Sequence, residues 1–365
     1  MAAKSKLTKE DKIASFDQNG VGDKNAGLFG LPFDEADAEV VIIPVPWEVT
    51  VSYSAGTADG PEAVKAASPQ LDLFDPEIKD AWKLGIWMEE ISEEWKGESS
   101  MLRKQTEHYI DWLEAGSPDE PNTDYAKLVK VINKKGAELT KWLKDKSAGY
   151  LKAGKLVGVL GGDHSTPLGL LQALGDQHEE FGILHIDAHS DLREAYEGFE
   201  YSHASIMFNA LKIPQLKKIV QVGIRDLAQS EAELAEQSNG RVAIFYDSFL
   251  KEGMNNGKSW KKQCKKIVAQ LPQKVYISFD IDGLDPKLCP GTGTPVPGGM
   301  ELDQAVFLIK ALVRSGRQII GFDLVEVAPG ESEWNGNVGA RLLYSMVNWM
   351  AVSQGKLEAP ALHAN

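Results

Sequence analysis

Six side chains at the ends of three apolar runs have the types and spacing for metal chemistry. In FGILHIDAHSD, residues 181–191, Asp187, His189 and Asp191 stand on alternate positions. Two carboxylates and an imidazole crowded together repel and desolvate one another unless a cation neutralises them. Mixed oxygen and imidazole donors suit a borderline divalent ion such as Mn, Ni, Co or Zn better than Ca or Mg. The theme returns in LVGVLGGDHSTP, residues 156–167, which passes Gly161 and Gly162 into Asp163 and His164. It returns again in KVYISFDIDGLDP, residues 274–286, which ends in Asp280 and Asp282 with Asp285 just beyond. Six ligands are too many for one tetrahedral ion and suit two ions that share bridging carboxylates. Five of the seven histidines fall between His164 and His203, a clustering that favours a site over scattered polar residues.

The elements that must hold these residues follow from hydrophobic period. Each run is short, apolar and β-branched, as buried strands are. Strand patterns in EVVIIPVPW (residues 39–47, ended by Pro44 and Pro46) and at Leu156–Gly161, Phe181–Ile186, Lys218–Val222, Val242–Phe245, Lys274–Asp280 and Gln318–Asp323 alternate with helical stretches. That alternation predicts an α/β fold, a single domain with a mainly parallel sheet and helices on both faces. Ligands in such folds bind at the carboxyl ends of the strands, where all six candidates lie. Pro61 in ADGPEAVKAAS suits the first turn of a helix. Residues 92–155 carry helical spacing and heavy charge, read as a helical insertion with a solvated face; residues 116–124 between the two helices carry breaker signals. Residues 1–37 are read as a loose N-terminal arm, 38–350 as the catalytic domain and 351–365 as a tail. His108 and His178 are read as surface residues, His185 as a satisfied core residue or a support for a ligand, and His363 carries no signal.

Composition narrows the class. A net charge of −14 opposes nucleic acid or anionic membranes as partners and is compatible with a cationic substrate. Two cysteines form no disulfide framework. The opening residues are polar, and no apolar run is long enough to cross a bilayer, so the expected location is cytoplasmic.

The set GGDHS, DAHSD and SFDIDGLDP, in that order, resembles the ureohydrolase family: arginases, agmatinases, formimidoylglutamases and guanidine hydrolases. The resemblance runs from about Val40 to about Tyr344. It implies an arginase-like three-layer αβα fold and two divalent ions per chain, manganese first and nickel as the alternative. One ion would be held by His164, Asp187, Asp191 and Asp280, the other by His189, Asp187, Asp280 and Asp282. It also implies hydrolysis of a guanidino C–N bond by a hydroxide bridging the metals, with Asp191 among the catalytic residues. His203 in FEYSHASIM would shuttle the proton to the leaving amine. Glu326 in GFDLVEVAPG would grip the guanidinium through paired hydrogen bonds. The loop after the first strand makes Trp47 and Glu48 candidate substrate contacts, and Trp334 could stack on a planar cation; residues 291–299 match the family's site-wall loop. The loop DLREAYEGFEYSHAS lacks the Asn- and Ser-bearing pattern with which arginases hold an amino-acid head group, so an agmatinase-like activity is the first expectation. Guanidine is the close alternative, followed by formimidoylglutamate, for which Arg193 offers a cation, and guanidinobutyrate. A non-catalytic relative would have lost ligands, and all six stand. A deacetylase-like enzyme would need only one metal. The resemblance implies a homo-oligomer, trimeric or hexameric.

Overall fold

Valine, isoleucine and leucine runs become strands buried on both faces, because helices cover the sheet above and below. The computed structural model describes residues 7–23, 25–117 and 123–360. Its strands are β1 (Val40–Val45), β2 (Ile86–Met88), β3 (Leu156–Gly161), β4 (Phe181–Ile186), β5 (Leu216–Ile224), β6 (Val242–Tyr246), β7 (Lys274–Asp280) and β8 (Gln318–Val325). All pairings are parallel, in the order β2-β1-β3-β8-β7-β4-β5-β6. The helices are α1 (Lys9–Ser15), α2 (Gly60–Ala67), α3 (Glu93–Glu114), α4 (Thr123–Lys152), α5 (Leu168–Gln177), α6 (Ile206–Ala210), α7 (Gln229–Gln237), α8 (Asp247–Asn255), α9 (Trp260–Val268), α10 (Leu302–Arg314) and α11 (Trp334–Ser353).

Alternate strand residues feed two cores. Val40, Ile42, Leu184 and Ile186 pack with Leu308 and Leu312 of α10 and Leu343 and Met346 of α11. Val41, Ile43, Phe181 and Ile183 pack with Leu102 of α3, Leu139 and Leu143 of α4 and Leu171 of α5. Burial of each such side chain contributes roughly 1.5–3 kcal/mol, which makes the sheet a stiff platform.

The topology brings the motifs together. β3 and β4 follow one another in sequence, yet β8 and β7 lie between them. The four central strands therefore end side by side in His164, Glu326, Asp280 with Asp282, and Asp187 with His189 and Asp191.

Three expectations change. The N-terminal arm is anchored: Thr8 and Asp11 form a capping box on α1, Lys12 pairs with Asp34 and Asp37, and Leu28, Phe29, Leu31 and Phe33 join the core. The insertion has an inner face as well as a solvated one, since Leu102, Tyr109, Ile110, Ile132, Leu139 and Leu143 are buried. α11 runs to Ser353 with Ala351 fully buried, so the tail starts later than residue 351. The short edge strand β2 was not expected from its three residues. Of the loop at 116–124, residues 118–122 lie outside the described residues, as does His363.

Candidate metal centre

At the end of β3 the chain turns under the first-strand loop. The Gly162 N–H donates to the Val45 carbonyl at 2.9 Å and the Asp163 N–H to the Trp47 carbonyl at 2.8 Å. A Cβ on Gly162 would lie 1.9 Å from that Trp47 carbonyl oxygen, so only glycine permits this approach. His164 follows, 1% exposed. After β4, Asp187 is fully buried and Asp191 takes a left-handed backbone, φ +56°. After β7, an Asp280 carboxylate oxygen accepts the Asp282 N–H at 2.8 Å and starts a single tight turn.

The six residues converge. His164 Nδ1 lies 2.9 Å from Asp187 Oδ2, 3.1 Å from Asp191 Oδ2 and 3.3 Å from Asp280 Oδ2. His189 Nδ1 lies 3.0 Å from Asp282 Oδ2 and 3.6 Å from Asp187 Oδ1. Ligand atoms thus gather in two groups, one with His164, His185, Asp187 and Asp191 and one with His189, Asp187 and Asp282, and Asp187 belongs to both. Asp280 stands on the His164 side and ties itself to Asp282 through the backbone.

Electrostatics say that the space between these atoms suits a cation. Burial drives Asp191 up to about 6, with the Asp187 charge adding to it. Burial, then the Asp282 and Asp187 charges, raise Asp280 well above the carboxylate range. Burial opposes a charge on His164, but the carboxylates at Nδ1 outweigh it and raise its pKa. Among the described residues, His164 Nδ1 and Asp282 Oδ2 are buried without a hydrogen-bond partner. Buried polar atoms left without a partner are costly unless a cation sits beside them. The donor set of carboxylate oxygens and imidazole nitrogens fits two borderline divalent ions.

Beneath the ligands a polar row crosses the sheet. Asp323 of β8 is in register with Ser278 of β7, Ser278 with His185 of β4, and His185 with Gln221 of β5. Ser278 Oγ donates its one proton to Asp323, at 2.9 and 3.1 Å, so it accepts from His164 Nε2–H at 2.9 Å. That tautomer turns the Nδ1 lone pair toward the carboxylates. Gln221 Nε2 donates to the Ser190 carbonyl at 2.6 Å and to His185 Nδ1 at 3.0 Å, and its Oε1 accepts from Ser190 Oγ at 2.8 Å. His185 Nε2–H therefore points at Asp187 Oδ2, 2.7 Å away, and orients that carboxylate. Ser278, Asp323 and Gln221 were missed in the sequence, where each reads as one polar residue within a strand. Their shared register is the signal, and it requires the strand order. Arg225 was missed too; its guanidinium binds the carbonyls of Asp282 at 2.7 Å and Val296 at 2.9 Å, joining a ligand turn to the loop at 291–299.

Beside the ligands lies a cavity of about 160 Å³ whose lining includes His189, Asp191, His203, Arg193, Tyr196 and Asp226. His203 stands edge-on to Tyr196, and its backbone N–H donates to Thr50 Oγ1 at 3.3 Å. Burial, with the neighbouring His189 and His164, lowers His203 to about 3, so its imidazole is neutral at neutral pH. Glu326 is 4% exposed, with φ +62°. Its Oε1 accepts the His164 N–H at 2.9 Å, and its Oε2 faces Gly293, where a Cβ would come within 3.0 Å. One Glu326 oxygen is thus already engaged, where the sequence reading assigned both to a guest.

The remaining contact candidates lie elsewhere. Trp47 is 1% exposed and packs edge-on against Trp95, so its ring belongs to the core. Glu48 Oε2 accepts from the N–H groups of Gly56 at 2.6 Å and Ala58 at 3.2 Å, folding its own loop. Trp334 is 50% exposed, bonded to the Lys287 carbonyl at 3.1 Å, and does not line the cavity. Asp163 Oδ1 accepts from the Ser165 N–H at 2.9 Å and supports the His164 turn, while Asp285 accepts the Lys287 N–H at 3.1 Å in a surface turn.

A sequence model described as "Arginase family" matches residues 38–348. The N(1)-aminopropylagmatine ureohydrolase of Thermus thermophilus is 30% identical over 333 residues, covering 91% of this chain and 96% of that protein. An agmatinase of Neisseria meningitidis is 28% identical over 345 residues, covering 92% and 96%. Among solved structures, the agmatine ureohydrolase of Thermoplasma volcanium superposes with a TM-score of 0.66 at 23% identity, covering 94% of this chain and 98% of that one. An arginase from Bacillus caldovelox gives 0.62 at 20% identity, covering 84% and 97%.

Proposed function

This chain belongs to the arginase family, and from that premise we propose that it hydrolyses a small guanidino amine, in the manner of an agmatinase, to urea and the free amine. It is a ureohydrolase, a hydrolase of guanidino C–N bonds. The observation that carries the reading is the convergence of Asp187, Asp191 and Asp280 within 3.3 Å of the orphaned His164 Nδ1, beside a cavity lined by His203. His164, Asp187, Asp191 and Asp280 would hold one divalent ion, and His189, Asp187, Asp280 and Asp282 the other. Two such ions supply activated water near neutral pH and charge stabilisation; manganese is the first candidate and nickel the second.

The protein's own groups do the rest. Neutral His203 can accept a proton on an imidazole nitrogen and deliver it to the departing amine, which must leave protonated. Glu326 Oε2 receives the guanidinium N–H groups. Burial, with the Asp163 charge, raises Glu326 well above the carboxylate range, so a bound cation favours its ionised form and is favoured in return. Asp226, whose side chain is 65% exposed at the cavity, can meet a distal ammonium.

A second reading has its own observation. Arg193 lies 4.6 Å from the Tyr196 ring and also lines the cavity, where it opposes a distal ammonium. It favours guanidine itself, or a guanidino or formimino compound bearing a carboxylate. A screen for urea and ammonia release from agmatine, arginine, guanidine, guanidinobutyrate and formiminoglutamate, after loading with manganese or nickel, decides. Highest kcat/KM on agmatine supports the lead; highest on guanidine or an acid replaces it; no release from any substrate with two ions bound overturns both. No described helix is long and apolar enough to cross a membrane. Cytoplasmic location and trimeric or hexameric assembly stay with the reading, the assembly being checked by sedimentation.

A further inference from the structure

The helical insertion touches two loops of the site at once. From α3, Ser99 Oγ accepts the Glu48 N–H at 3.1 Å, and buried Arg103 donates through Nη1 to the Val51 carbonyl. Both contacts fall on the loop at 47–57, which supplies Thr50 to the His203 amide and Ser52 to the cavity wall. Arg103 is held in place by Glu107 one turn on, at 3.3 Å.

The second loop, 193–203, ends in His203 itself. It makes a tight reversal in which Tyr196 and Phe199 exchange backbone hydrogen bonds at 3.2 and 2.8 Å. Glu197 and Gly198 take φ of +53° and +83° at its tip. The insertion grips this reversal from three sides. Tyr109 of α3 donates to the Glu197 carbonyl at 2.9 Å and meets the buried Phe199 ring edge-on. Asn133 of α4 donates to the Gly198 carbonyl at 3.1 Å and accepts the Glu200 N–H at 2.9 Å. Gly136 of α4 leaves room for Tyr201, whose Cβ would lie 2.6 Å from a Cβ there.

We propose that Arg103 and Asn133 are positioning residues of the active site: through the loops at 47–57 and 193–203, the α3–α4 hairpin sets where His203 stands. Their contacts land on loop amides and carbonyls and on none of the six metal-ligand candidates. The hairpin therefore adjusts the proton-transfer geometry independently of metal binding. Geometry at this level matters, since a misplacement of about 1 Å can cost on the order of a hundredfold in rate.

The inference rests on the shuttle role of His203 given above, and the test separates the two. Arg103→Met, Arg103→Lys and Asn133→Ala are measured alone and combined with His203→Ala, with kcat, KM, metal content and thermal midpoint recorded. Expected results are a kcat lowered about 10–100-fold in Arg103→Met and Asn133→Ala, with little change in KM and two ions retained. Arg103→Lys recovers part of the rate. In the His203→Ala background neither substitution costs further, because residues acting through one group are not additive. Losses that add in full in that background, or an unchanged kcat in both single variants, overturn the positioning role. Should Arg103→Met not fold, the cycle with Asn133→Ala decides alone, since that side chain is only half-buried. Full kcat in His203→Ala by itself overturns the shuttle, and this inference with it.

Discussion

Replacing Ser278 by alanine should weaken metal binding without touching a metal ligand. Its hydroxyl accepts from His164 Nε2 at 2.9 Å and donates to Asp323 at 2.9 and 3.1 Å. His164 is 1% exposed, and Ser278 and Asp323 are fully buried, so no solvent replaces the lost oxygen. His164 Nε2–H is then orphaned, while Asp323 keeps the Phe279 N–H at 3.1 Å and the Tyr276 side chain beside it. An unsatisfied buried group costs about 1–3 kcal/mol, so orphaning His164 Nε2–H should cost about 1–3 kcal/mol of stability. It also removes the bond that keeps the Nδ1 lone pair turned to the metal side. Loss of such a support lowers metal affinity about 10–100-fold, equivalent to about 1.4–2.8 kcal/mol. Chelator-competition titration with manganese gives the affinity, and thermal unfolding with and without metal gives the stability. Asp323→Asn, which keeps an acceptor, should lose less of both. Wild-type affinity and wild-type midpoints in Ser278→Ala would refute the argument that the polar row sets the His164 tautomer.

Asp187→Ala should lose both ions and all activity, because Asp187 belongs to both ligand groups; two tightly bound ions in elemental analysis of the variant would rule out the shared role. Glu326→Gln keeps shape but removes charge, and kcat/KM should fall by more than about tenfold with metal content unchanged; a wild-type kcat/KM on the best substrate removes the clamp. Burial, with the Glu114 charge, raises Glu197 to about 7. A raised carboxylate stabilises the fold when protonated, so this contribution is complete below the unfolded value near 4.3 and fades as pH rises through about 7. Glu197→Gln should therefore gain thermal midpoint relative to wild type between pH 5 and 8; a constant difference across that range would show that Glu197 is not the group responsible.

The candidate ligand set was legible because its information is local. Asp187, His189 and Asp191, like Asp280 and Asp282, sit on alternate residues at the ends of apolar runs, and parallel strands expose such ends on one edge of the sheet. The alternation of strand and helix likewise follows from side-chain period, which no distant contact alters. Roles that depend on what lies across the fold were not legible. Trp47 and Trp334 are the same residue type, yet one is sealed against Trp95 and the other, at the start of α11, faces solvent. Glu48 reads as a substrate carboxylate until its loop closes around it and the amides of Gly56 and Ala58 claim its oxygen. Ser278, His185, Gln221 and Asp323 form one row only once β8, β7, β4 and β5 lie side by side. Sequence alone determined which atoms could bind metal, since that depends on residue type and spacing. Tertiary structure decided which of the others support them, because hydrogen bonds between residues far apart in the chain exist only after the strands are ordered.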